Sequence, residues 1–116
     1  MPFLTKLQIE SVRGKNSYKL LSPLVYQFGS SIFAAKKGFV TDFASIPRLL
    51  RFLIDDDDAD IREAAVIHDW LYSTKEVSRK FADCVLMTAM KDIGASYIKR
   101  KVVYLAVRFF GSNHYE

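Results

Sequence analysis

A chain of 116 residues, half of them hydrophobic and about a quarter charged, is long enough to bury one core without disulfides or metals and too apolar to be disordered, so a single domain over residues 1–116 is expected. Its net charge of +4 is unevenly spread: seven basic face two acidic side chains over residues 1–50, six face ten over 51–95, and four face one over 96–116. An acidic middle segment suits a bound cation and has the wrong sign for tracking phosphates, which argues against nucleic acid as a partner.

The first forty residues carry strand patterns. Residues 3–12 alternate through Leu4, Lys6, Leu7, Gln8 and Ile9, and Arg13-Gly14-Lys15-Asn16-Ser17 reads as a turn. Residues 18–28 are β-prone except at Ser22-Pro23, a break that suits an edge strand or bulge. Beyond Gly29-Ser30, residues 31–35 and 38–41 form a further pair of short strands, so residues 1–41 are expected to be mainly strand.

From residue 45 to 110 the apolar period is helical. Ser45-Ile46-Pro47-Arg48 resembles a helix start, with Pro47 in the first turn, where a missing N–H costs nothing. Ile61, Ala64, Ala65, Ile67, Leu71 and Tyr72 recur at helical spacing over residues 60–73, and Phe81, Val85, Leu86, Ala89, Met90 and Ile93 do so over 78–93. Ser78 is the expected N-cap and Gly94 the expected stop. Residues 96–110 form a last, basic helix with Lys99, Arg100, Lys101 and Arg108 beside Ile98, Val102, Val103, Leu105 and Val107. Such a helix serves either as a core element with a solvated basic face or as a ligand for an anionic membrane, and the first reading is preferred. Strands followed by helices give an α+β fold: an N-terminal antiparallel β-sheet packed on about four C-terminal helices.

The joint Thr74-Lys75-Glu76-Val77 is short enough to make the second and third predicted helices antiparallel neighbours. His68 precedes the end of the first by five residues and Asp83 follows the start of the second by five. At about 1.5 Å per residue both lie roughly 7–8 Å from the turn, level across the hairpin. Tyr72 is one turn from His68 on the same face, while Asp69 points about a quarter-turn away. Asp83, or Asp42 as the alternative, should therefore lie within hydrogen-bond reach of His68. An imidazole and two carboxylates around one point suit hydrolysis, and they suit a buried structural histidine equally well. His68 as the one histidine outside the C-terminal tail disfavours a multi-histidine zinc site; a bound cation would be calcium or magnesium, with oxygen ligands including Asp69 or Asp42.

Other motifs are weaker. The run Asp55-Asp56-Asp57-Asp58-Ala59-Asp60 fails as an EF-hand, since Ile67 would stand where a bidentate glutamate is required; it reads as an acidic loop before a helix N-terminus. There is no phosphate loop, nucleophile elbow or zincin motif. Cys84, the single cysteine, is expected to be a buried small hydrophobe inside the helical pattern. Met1-Pro2-Phe3-Leu4-Thr5-Lys6 lacks the apolar core of a signal peptide, and no apolar run reaches the roughly 18 residues that span a bilayer, so a soluble protein is expected.

Four blocks carry a resemblance: Gly38-Phe39-Val40-Thr41-Asp42-Phe43-Ala44-Ser45-Ile46-Pro47-Arg48, Ala64-Ala65-Val66-Ile67-His68-Asp69-Trp70-Leu71-Tyr72, Arg79-Lys80-Phe81-Ala82-Asp83 and Ala106-Val107-Arg108-Phe109-Phe110-Gly111. In this order, over residues 38–111, they resemble domain-of-unknown-function family 1353 of tailed bacteriophages and prophages, with Phe43 where that family more often has glycine. The resemblance implies a phage origin, a location in the host cytoplasm or the virion, and phage structural or host proteins as partners. His68-Asp69-x-x-Tyr72 with Asp83 also resembles the catalytic helix pair of the secreted A2 phospholipases. That likeness implies His68 as general base, Tyr72 and Asp83 as the groups that orient it, Asp69 as a calcium ligand, and a lipid substrate. This chain lacks that family's glycine-rich calcium loop and its disulfides, leaving residues 41–45, with Asp42, as the upstream source of ligands. The alternative is a phage tail or assembly component, or an inhibitor of a host protein, in which His68 and the aspartates form a structural network.

Overall fold

The computed structural model describes residues 3–12, 18–41 and 62–110. Among the described residues five strands precede three helices: β1 Ile9–Ser11, β2 Tyr18–Leu20, β3 Leu24–Phe28, β4 Ser31–Ala35, β5 Val40–Thr41, α1 Arg62–Thr74, α2 Arg79–Ile93 and α3 Tyr97–Phe110. The architecture is α+β. The predicted helix from Ser45, the acidic run at 55–60, and the tail with His114 lie outside the described residues, which hold three helices where about four were expected.

One N-terminal sheet was expected, and two are present: β1-β2-β5 and the hairpin β3-β4, all pairs antiparallel. Ser22-Pro23 explains the division. Proline cannot donate to a ladder, so the chain leaves β2 and enters β3 in a different sheet instead of bulging within one strand. Residues 31–35 and 40–41 do not pair with each other: β4 folds back on β3 through Gly29, which takes a φ of +60°, while β5 joins β2. The pattern over residues 3–12 yields a strand only at its end. Its beginning lies along β3, where Phe3 bridges Tyr26, the Leu4 N–H donates to the Val25 carbonyl at 2.9 Å, and the Thr5 hydroxyl accepts from the Val25 N–H.

Helix α1 is the centre of the packing. It contacts β3, β4 and β5 on one side and α2 on the other, and α2 in turn packs on α3. Ala64, Ala65, Val66 and Ile67 are consecutive and all fully buried, as a helix covered on every side requires. Leu71, Val85, Leu86, Ala89, Met90 and Val103 continue the same core toward α3.

The helix boundaries follow the predicted caps. The Ser78 hydroxyl accepts from the Phe81 N–H at 3.1 Å, and Gly94 is left-handed with φ +103°, donating its N–H to the carbonyls of Met90 and Lys91. A Cβ at Gly94 meets nothing within 4 Å, so only the backbone conformation penalises a side chain there. Gly94→Ala is expected to lower stability by about 1 kcal/mol, read as a shift in urea midpoint with an unchanged slope.

Two expectations about helix faces are corrected. Cys84 is exposed, because Ala82, Asp83, Val85 and Leu86 occupy the inward arc of α2 and leave position 84 outside it. On α3 the charged and apolar residues do not separate as expected. Lys99 is buried together with Val103, Ala106 and Val107, whereas Ile98, Leu105 and Phe109 are exposed. At about 100° per residue the two sets are centred roughly 125° apart around the helix, so burying Val103 and Val107 carries Lys99 inward and turns Ile98 outward.

Candidate functional site

The hairpin of α1 and α2 brings together His68 and Asp83, which the spacing placed level, and Tyr72, one turn from His68 on the same face. His68 Nε2 lies 2.7 Å from Asp83 Oδ1, and the Tyr72 hydroxyl donates to the same oxygen at 2.5 Å. The rings of His68 and Tyr72, one helical turn apart, pack with centroids 4.2 Å apart. His68 retains 1% of its accessible surface, Asp83 none and Tyr72 5%. The cluster is sealed in the core. Two clefts bounded by described residues, of about 630 and 270 Å³, lie around Lys6 and Glu63, and no member of the cluster lines either one.

Asp83 has a further partner that the sequence reading missed. Arg108, from α3, donates through Nη1 to Asp83 Oδ2 at 2.8 Å. A second arginine holds that part of α3 in place: Arg79, at the start of α2, donates through Nη2 to the carbonyls of Val107 and Arg108. Both are among the last carbonyls of α3, which have no acceptor role within the helix, and a cation there also complements the helix dipole. The one signal in the sequence was the presence of Arg108 and Arg79 within the blocks quoted above. The approach of Arg108 to Asp83, and of Arg79 to the end of α3, depends on the packing of α3 against α2.

The electrostatics follow from burial and from these donors. Burial alone would raise the Asp83 carboxyl, but hydrogen bonds from His68, Tyr72 and Arg108 outweigh it and hold the group below its ordinary value. Burial lowers the His68 imidazole against the opposing pull of Asp83, and the charge of Arg79 lowers it further. At neutral pH the cluster is therefore an aspartate, a neutral imidazole and a guanidinium. An ionised carboxylate only accepts, so Nε2 of His68 carries the ring proton and donates it. Nδ1 is then the lone-pair nitrogen, and it is buried with no hydrogen-bond partner among the described residues.

Tyr72 tests how far the cluster depends on each donor. Tyr72→Phe removes the hydroxyl and with it the bond to a charged oxygen that His68 still contacts. A loss of about 1.5–3 kcal/mol is expected by chemical denaturation, with native-like circular dichroism retained.

The other predicted site residues are placed differently. Asp69 is half-buried and, as the next residue along α1, points about 100° away from His68. Asp42 lies outside the described residues, immediately after Thr41 of β5. Among the described residues no three His, Cys, Asp or Glu side chains come together as a metal would need. Both Asp83 oxygens already accept from protein donors. Asp83 thus has no oxygen free of protein donors to offer a cation, while Asp42, one of the two expected metal ligands, lies outside the described residues.

Fold and site together define a small α+β domain with a histidine–aspartate–tyrosine cluster buried in a helical hairpin and tied to the last helix by arginine. The chain belongs to the family described as "Protein of unknown function (DUF1353)", which matches residues 18–107. No curated protein and no solved structure matches. No helix among the described residues is long and apolar enough to cross a membrane.

Proposed function

We propose that the cluster is a hydrolytic centre in which His68 Nδ1 is the general base. The observation that carries this reading is the buried, unpartnered Nδ1 beside an Nε2 held by Asp83. Leaving a buried acceptor unpaired costs about 1–3 kcal/mol, and the large majority of buried side-chain polar atoms have a hydrogen-bond partner. Asp83 fixes the tautomer that leaves the lone pair on Nδ1, and it stabilises the imidazolium formed once a water proton has been taken. Tyr72 holds the carboxylate, and Arg108 keeps it ionised. The deprotonated water then attacks a carbonyl or phosphoryl centre, and the imidazolium returns its proton to the leaving group.

The likeness of His68-Asp69-x-x-Tyr72 and Asp83 to the A2 phospholipase helix pair makes a glycerophospholipid ester the first substrate to assay. A phage source, as the resemblance implies, is part of the same reading. A second reading is favoured by the burial of His68 and Asp83, which admits no reactant to the closed structure: the cluster is then a polar staple in a non-enzymatic tail, assembly or host-inhibiting protein.

His68→Gln separates the two. Glutamine places an amide N–H near the position of Nε2, so it can still donate to Asp83, but it has no base in place of Nδ1. Under the hydrolytic reading its stability falls by no more than about 1–2 kcal/mol while ester hydrolysis falls by about 100-fold or more. Wild-type protein with no turnover on phospholipid, carboxylic ester and phosphodiester substrates, assayed with and without calcium or magnesium, would remove the hydrolytic reading in favour of the structural one.

A further inference from the structure

We infer that the cleft between residues 3–6 and the end of α2 binds a small organic cation, a primary ammonium group on an apolar body. Its volume of about 630 Å³ is that of a small-ligand site. Phe3, Leu4 and Ile93 give it apolar walls, and Asp92, Glu63 and Lys6 line it as well, two carboxylates against one ammonium. Lys6 and Glu63 also line the neighbouring cleft of about 270 Å³, whereas Asp92 and these three apolar residues belong to the larger one alone. The end of the cleft away from its neighbour is therefore apolar with a single negative charge.

Asp92 is the group that meets the ammonium. The hydroxyl of Tyr26, which is fully buried, donates to Asp92 Oδ2 at 2.7 Å, and the Tyr26 ring packs on Phe3 with centroids 4.6 Å apart. One carboxylate oxygen is thus anchored to the core, while Oδ1 has no protein donor among the described residues. Burial, and then the bond and charge of Asp92, raise the Tyr26 hydroxyl well above its ordinary value, so it remains a donor. The core requires only an acceptor at this place, and asparagine would supply one. A full negative charge instead stands next to the last residue of α2, where the helix dipole is itself negative, a placement unfavourable to stability. Lys91, in the same turn, does not line the cleft. Carboxylate and helix end together favour a cation, and the Phe3 ring and the Leu4 and Ile93 side chains receive its apolar body. A metal ion is a poorer occupant, since no three His, Cys, Asp or Glu side chains come together among the described residues.

The inference does not rest on the hydrolytic reading, because no member of the His68 cluster lines the cleft, and its test is binding without turnover. Isotope-labelled wild-type protein is titrated near pH 7 with hexylamine, phenethylamine and hexanol, and the amide resonances are followed. The two amines are cations at this pH and should give saturable shifts at Leu4, Lys6 and Ile93 with a Kd of about 1 mM or below. Hexanol, with the same chain and no charge, should bind about fivefold more weakly, and added salt should weaken the amines alone. Asp92→Asn, at an exposed position, keeps an acceptor for Tyr26. It should melt with wild type and bind the amines about fivefold more weakly. Lys6→Gln, also exposed, removes the competing ammonium and should tighten amine binding by about twofold. Equal affinity for hexylamine and hexanol overturns the proposal, as does undiminished amine binding by Asp92→Asn. So does the absence of any saturable shift with either amine up to about 10 mM, roughly ten times the expected Kd.

Discussion

Replacing Asp83 with Ala should lower stability by about 3–5 kcal/mol, the largest effect expected of any polar substitution among the described residues. Asp83 is fully buried and accepts from His68, Tyr72 and Arg108. Alanine leaves two donors and a guanidinium without an acceptor, and the space vacated is lined by their polar atoms. Arg108 can turn toward solvent, because 32% of its side chain is exposed, so the main cost falls on His68 and Tyr72. Asp83→Asn should lose less, since its carbonyl can still accept from one of them, though its amide faces other donors. Urea unfolding of the two variants beside wild type measures both effects. A loss below about 1 kcal/mol for Asp83→Ala would mean that the cluster contributes little to the fold.

Acid should remove the same stabilisation in two stages. His68 is less basic when folded, so below its ordinary value of about 6.5 the unfolded chain binds the extra proton first. Its contribution is complete above about pH 6.5 and declines as pH falls below that. Asp83 is more acidic when folded, so its contribution is complete above about pH 3.9 and is lost as pH falls through its lower folded value. Stability should consequently rise with pH across both windows. His68→Gln should flatten the upper window and Asp83→Asn the lower. A urea midpoint in wild type that is level between about pH 7 and pH 5 would contradict the burial of a neutral His68. Under the hydrolytic reading activity should hold through the upper window, where folded His68 is still neutral, and fall only as pH drops through its lowered folded value.

Much of the site could be read along the chain because a helical hairpin converts residue counts into distances. The turn at 74–77, Ser78 as cap and the spacing of His68, Tyr72 and Asp83 are local features, and a rise of about 1.5 Å per residue makes His68 and Asp83 level, with Tyr72 one turn from His68, whatever else the fold does. The helices over 62–74, 79–93 and 97–110 were legible for the same reason, since each is set by a local apolar period and its caps. Sheet membership was not. Strands over 18–20, 24–28, 31–35 and 40–41 are visible as β-prone segments, but partners are chosen by long-range pairing, and the sequence does not state that β5 goes to β2 and β4 to β3. Nor were the faces of α3 determined locally: both Ile98 and Val103 look like core residues, and only the docking of α3 on α2 decided that Val103 goes in with Lys99 while Ile98 stays out. That same docking brought Arg108 to Asp83 across 25 residues of chain. The sequence by itself determined the elements and the His68–Tyr72–Asp83 hairpin, which are governed by short-range geometry; the tertiary structure alone decided that the cluster is sealed, that arginine completes it and that Ile98 is left outside, because burial is a property of how elements share a core.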